Sequence, residues 1–196
     1  MNSQGLIDAN IQALKEGDEL LLMLNAEQYG SGLKPAFQAT IGAHYRHLIE
    51  HYRCLFNQVT KRVFCYDKRN RDEQLESDRE YALRSIADII GRLETIDLEL
   101  FDQQYHIVDH QLAVPLVTTL ERELLFLQSH TAHHYAIIAA MARGLGKQPM
   151  RDFGLAIATI KHADMMRENG NAAETQKSQE ASTPELSSDR SNACAQ

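Results

Sequence analysis

The stretch LFLQSHTAHHYAII, residues 125–138, decides the reading of this chain. It sets His130, His133 and His134 in an otherwise apolar run patterned for a helix. A second run, IGAHYRHLIEH over residues 41–51, holds His44, His47 and His51. Most of the histidines thus fall in two short segments. Burying an imidazole costs free energy unless its nitrogens find partners. Two clusters, each in helical phase with an apolar face, point to a shared partner, and a metal ion satisfies several imidazoles at once.

Upstream of the first cluster, Thr118-Thr119-Leu120-Glu121 matches the T-x-x-E capping box and opens a helix that runs to about Arg143, with Gly144 as its stop. Leu124, Leu127, His130, His134, Ile137, Ile138 and Met141 share its inward side. His130 and His134 are four apart and therefore adjacent on one face. His133 is turned by about 100° and belongs beside the pair or at the rim. The spacing is that of the two ligands in H-E-x-x-H zinc sites, but Thr131 stands where the glutamate base would be, so the zinc-protease reading fails. Two imidazoles are also too few, since catalytic zinc sites keep three protein ligands and an open position. The helix expected over about Thr40 to Thr60 supplies the third. Its inward stripe is Ile41, His44, His47, Leu48, His51 and Leu55, with Arg46, Arg53 and Gln58 off it. His47 is central and is the chosen ligand, while His44 and His51 stay open as neighbours or replacements.

A first helix is expected over about residues 4–24, weakened at Gly17, and Asn25 caps a short turn through Tyr29. Residues 61–76 are charged and non-periodic and read as a solvated loop. The alternative is that Tyr66, Asp67, Arg69 and Arg71 fold over the mouth of a site as anion contacts. Ser77-Asp78-Arg79-Glu80 is a second capping box and opens a helix to about Thr95. Residues 96–117 read as a long connection with a small hairpin near Asp109-His110, kept from a central sheet by Pro115. Residues 149–168 read as a loop and a short helix that packs on the rest. From Asn169 onward the chain is polar, with almost no apolar mass, and is expected to be disordered. The expected class is all-α, a four-helix bundle over residues 1–168 with long connections and a tail at 169–196.

A net charge of −7 argues against nucleic acid or an anionic membrane as partner. No apolar run reaches the roughly 20 residues of a bilayer span, and no secretory pattern follows Met1. Cys54, Cys65 and Cys194 show no CxxC spacing and read as free thiols of a reducing cytoplasm. Cys54 is read as an apolar filler or a thiol near the site, and Glu50 as solvated rather than a base. His106, His110 and His162 have no partner at metal spacing and read as surface or loop residues.

The two histidine segments, with Tyr66–Asp72 and Asp152-Phe153-Gly154, make the chain resemble the DinB-like superfamily of metalloenzymes over about residues 4–165. The resemblance implies a bundle of up-down-down-up connectivity, often dimeric. It further implies a divalent ion, zinc or nickel, held by one histidine of the second helix and an H-x3-H pair of the fourth. By position these are His47, His130 and His134. Characterised members include thiol-dependent transferases and isomerases. The expectation is a cytoplasmic, homodimeric metal-dependent enzyme acting on a small thiol or electrophile, of transferase or hydrolase type. Tyr45, Arg46 or the arginines of residues 66–72 would orient an anionic substrate. The competing expectation is a non-catalytic metal-binding or stress-related dimer. No catalytic residue beyond the ligands is assigned.

Overall fold

The computed structural model describes residues 3–33 and 36–167, so the expected disorder of residues 169–196 lies outside the described residues. The chain divides into two units, Met1–Ala156 and Ile157–Gln196. The described part of the second is a helix over residues 157–167 with mostly exposed side chains.

The first unit is mostly helical. Helix α1 (Ser3–Met23) buries Ile7, Leu14 and Leu21 at heptad spacing. It runs unbroken through Gly17, where the sequence reads a weak point. A Cβ on Gly17 would lie 1.9 Å from Tyr135 Oη, so glycine is present for a close approach. The Gly17 carbonyl also accepts from Tyr45 Oη at 2.8 Å. Helix α2 (Ala26–Gly30) opens with a capping box between Asn25 and Gln28. Helix α3 (Ile41–Gln58) is capped by Thr40, whose hydroxyl accepts from the Ala43 N–H at 2.9 Å.

Two caps sit one residue beyond the expected positions. Ser77 ends the short helix α4 (Gln74–Ser77), so Asp78 caps helix α5 (Arg79–Glu94), accepting from the Tyr81 N–H at 2.9 Å. Thr119 rather than Thr118 caps helix α6 (Leu120–Gly144), accepting from the Arg122 N–H at 3.2 Å. Thr118 is held in a strand, and its hydroxyl donates to buried Glu123 at 2.6 Å.

The all-α expectation is corrected by a small three-stranded sheet: β1 (Val63–Phe64), β2 (Tyr105–Ile107) and β3 (Leu116–Thr118). The antiparallel β2–β3 pair is the hairpin expected around Asp109-His110, and Pro115 precedes the edge strand β3. Strand β1 joins β2 in parallel, with Val63 opposite His106. A strand of two residues, Val63 and Phe64, is too short to show alternation, so β1 leaves no sequence signal.

Helices α1 and α3 each pack against both α5 and α6. The core between them contains Tyr29, Tyr45, Tyr52 and Tyr135, all buried. Their hydroxyls need partners, and Asn10 supplies one, accepting from Tyr52 Oη at 2.7 Å while donating to the carbonyls of Leu6 and Leu124. This frame fixes the rotation of α3 and α6 and turns their histidines toward each other. Among the described residues no helix is long and apolar enough to cross a membrane.

Candidate metal centre

The facing sides of α3 and α6 bring His47, His130 and His134 together. The His47 ring lies 4.9 Å from that of His130 and 4.7 Å from that of His134, and the latter two rings are 4.6 Å apart. One ring nitrogen from each lies within 4.8 Å of the others. Nitrogens bound tetrahedrally about 2.1 Å from an ion stand roughly 3.4 Å apart, so small rotations of the rings would close the set.

The two histidines left open on α3 take flanking positions. His44 Nδ1 lies 2.9 Å from His134 Nδ1, so one of the two nitrogens donates and the other accepts. His51 Nδ1 lies 2.7 Å from the His47 carbonyl, which only accepts; His51 therefore carries its proton on Nδ1 and presents a lone pair on Nε2. His133 is exposed, with its ring 5.2 Å from that of His134, beside the set as expected.

Burial holds these rings neutral. It is the first cause in each case, reinforced by the neighbouring histidines, and it pushes His47 down to about 2, His134 to about 3 and His130 to about 4. Neutral imidazole is the form a metal ion needs. His130 Nε2 is buried and has no hydrogen-bond partner, which is costly for a polar atom unless something else meets it. Three neutral imidazoles, one with an orphaned buried nitrogen, fit a divalent transition ion of the zinc or nickel kind.

Arg69 complicates this set. Its Nη2 stands 3.3 Å from His47 Nδ1, and a guanidinium only donates. His47 Nδ1 therefore accepts, and the neutral ring carries its proton on Nε2. An ion at Nδ1 would displace Arg69. An ion at Nε2 would require a proton on Nδ1, which cannot face a donor. In both cases Arg69 must withdraw from His47 for an ion to bind.

Arg69 is held from behind by Glu50, which is 2% exposed on its side chain and faces Arg69 Nε at 3.4 Å. Glu50 also accepts from the Asp72 N–H at 2.9 Å and lies 3.8 Å from Arg46 Nε. The expectation of a solvated Glu50 is thus wrong. The segment that follows α3 folds back and brings Arg69 onto it, an arrangement without local periodicity. That segment is not a free loop. Tyr66 stacks on His51 at 5.5 Å and meets Phe126 at 5.3 Å, and Phe126 in turn stacks on His130 at 5.4 Å. Tyr66 Oη donates to buried Glu123 at 2.9 Å. These rings wall the histidines on one side. Phe126 was legible in principle, four residues before His130 on one helical face.

Other expected contacts go elsewhere. Tyr45 is fully buried against Gly17 and reaches no substrate. Arg46 is engaged by Glu50 and, at 2.5 Å, by Glu76. Asp67 pairs with His110 at 2.7 Å. Asp67, Asp109 and His110 form a second close group, but it is largely exposed, and the pairing with Asp67 raises the His110 pKa and favours an ion pair over ligation. Thr131, in the position of the missing glutamate, is buried and meets Tyr52 Oη at 3.3 Å, so that register points into the core. Cys54 is buried, and burial pushes its thiol up to about 11, so it is protonated at neutral pH and no nucleophile.

No family model matches the chain. FK506-binding protein 5 of Rhizopus delemar is similar to it, 31% identical over 105 residues, which make up 51% of this chain. The chain spans 27% of that protein's length, too little to place it in a family.

Proposed function

We propose that the chain is a divalent-metal-dependent enzyme of the DinB-like superfamily, with His47, His130 and His134 holding zinc or nickel. In this reading the four long helices, α1, α3, α5 and α6, form an up-down-down-up bundle, and the protein works as a cytoplasmic homodimer. The substrate is a small thiol or an electrophile that a thiol or water attacks, which makes the reaction a transfer or a hydrolysis. The observation that carries the reading is the convergence of three neutral imidazoles, one of which has a buried nitrogen without a partner.

A bound ion would supply Lewis acidity that lowers the pKa of a thiol or water at its open position. The chain's own groups do the rest. His44 fixes the tautomer of His134 through their Nδ1 contact. His51 Nε2, unprotonated because Nδ1 donates to the His47 carbonyl, accepts the proton released from the attacking group. Tyr66 and Phe126 exclude water from one side. Arg69, once withdrawn from His47, offers a guanidinium to an anionic part of the substrate.

A second reading is favoured by one observation. Glu50 is locked between Arg69 and Arg46, and Thr131 faces the core, so among the described residues no free carboxylate stands at the histidines to act as a base. This supports a non-catalytic metal-binding protein. Thiol consumption on a bimane electrophile separates the two: zinc- or nickel-loaded protein should accelerate it, and His51→Gln should lose most of the rate while keeping its metal. A loaded protein with no activity on thiol or ester electrophiles would favour the binding reading.

A further inference from the structure

Next to the histidines, the C-terminal half of α3 and residues 61–73 enclose a groove of about 660 Å³. That volume lies within the range of small-molecule sites, about 300–1,000 Å³. Five cationic side chains line it against three carboxylates. Two of the cations are committed: Arg53 pairs with Asp72 at 2.8 Å, and Arg69 faces Glu50 at 3.4 Å. Lys61, Lys68 and Arg71 are exposed and have no ion-pair partner among the described residues, and only Glu73 remains to oppose them. The side chains of Asn57 and Asn70 add amide donors. This positive site is local, because the chain as a whole carries a net charge of −7. On the floor, Arg69 Nε and Glu50 Oε2 are buried and face each other without a hydrogen bond between them.

We propose that this groove binds a small molecule through a doubly charged oxyanion group, a phosphate monoester or a dicarboxylate, beside the histidine centre. Three unpaired cations from two segments suit a dianion better than a single carboxylate. Lys61 comes from the turn after α3, and Lys68 and Arg71 come from the loop opposite. Arg69 belongs to both places: it lines the groove and reaches His47. An anion seated there offers Arg69 an alternative to His47 and leaves the rest of the ligand beside the histidines. The inference deepens the proposed function by naming a substrate class, and it rests on that function only for what happens to the bound molecule.

The test uses full-length, metal-free protein at fixed ionic strength. Inorganic phosphate, succinate and acetate are titrated by calorimetry and by amide chemical shifts. The groove should bind phosphate or succinate saturably, with shifts concentrated in residues 54–73. Lys61→Gln, Lys68→Gln and Arg71→Gln combined should weaken this at least tenfold. All three side chains are exposed, so the variant should fold normally by circular dichroism and take up the same amount of zinc. Binding of phosphate alone would assign a phosphate monoester, and binding of succinate alone a dicarboxylate. Acetate matching both dianions, or undiminished binding by the triple variant, would overturn the proposal. Dianion binding by a protein that takes up no zinc when zinc is added would uphold the groove and refute the metal reading separately.

Discussion

Lowering the pH should destabilise the metal-free protein through its histidine centre. An unfolded histidine titrates near 6.5, whereas burial holds His47 at about 2, His134 at about 3 and His130 at about 4. Each folded value is depressed, so below pH 6.5 the unfolded chain takes up protons that the native state refuses. The stabilisation is therefore fully present above pH 6.5 and is lost progressively below it, until the pH reaches about 4 for His130, about 3 for His134 and about 2 for His47. At full strength each group would cost about 2 kcal/mol between pH 7 and 5. The rings are only partly buried, and screening by water reduces this to about a third to a half. The three together then cost about 2–3 kcal/mol. In a domain of this size 1 kcal/mol moves Tm by about 2–4 °C, so Tm should drop by roughly 4–12 °C. The assay is calorimetric melting of EDTA-treated protein at pH 7, 6 and 5, beside His47→Gln/His130→Gln/His134→Gln, which lacks these three titrating groups and keeps His44 and His51. The variant should show a clearly shallower slope. Equal slopes would show that the acid sensitivity lies outside these three histidines.

Arg69→Met should tighten zinc binding about tenfold, a gain of about 1.4 kcal/mol, since no cation would then occupy His47 Nδ1; competition with a chromophoric chelator measures it. Gly17→Ala should lower stability by about 1–3 kcal/mol in urea unfolding, because the new methyl meets Tyr135 Oη and the carbonyl of the same residue holds Tyr45. Thr119→Ala should cost about 1 kcal/mol through loss of the α6 cap, whereas Ser77→Ala, with Asp78 as the true cap of α5, should change stability by less than about 0.5 kcal/mol.

The long helices were legible because each carries an apolar stripe at helical period, and the histidines of α3 and α6 fall within those stripes. The same helical phase sets His47, His130 and His134 on facing sides and His133 at the edge. Two caps fall one residue after the positions the pattern favours, since Ser77 and Thr118 have a glutamate three residues on, whereas Asp78 and Thr119 have Tyr81 and Arg122 there. What decided between them was nonlocal: α4 uses Ser77, and the sheet uses Thr118. Strand β1 is too short to show alternation. The positions of Arg69, Tyr66 and Glu50 depend on how a charged segment folds back over α3, and a charged, aperiodic stretch reads as solvent-exposed whether or not it does so. Gly17 shows the converse, since a residue that weakens a helix in isolation is required by a tyrosine more than a hundred positions away in sequence.

Metal content of the purified protein decides whether His47, His130 and His134 hold an ion. Elemental analysis of wild type after incubation with zinc or nickel and desalting should give about one ion per chain. His47→Ala, His130→Ala and His134→Ala should each lose most of it, and His133→Ala should keep it. A wild-type protein without bound metal, or full occupancy in any of the three variants, would contradict the assignment.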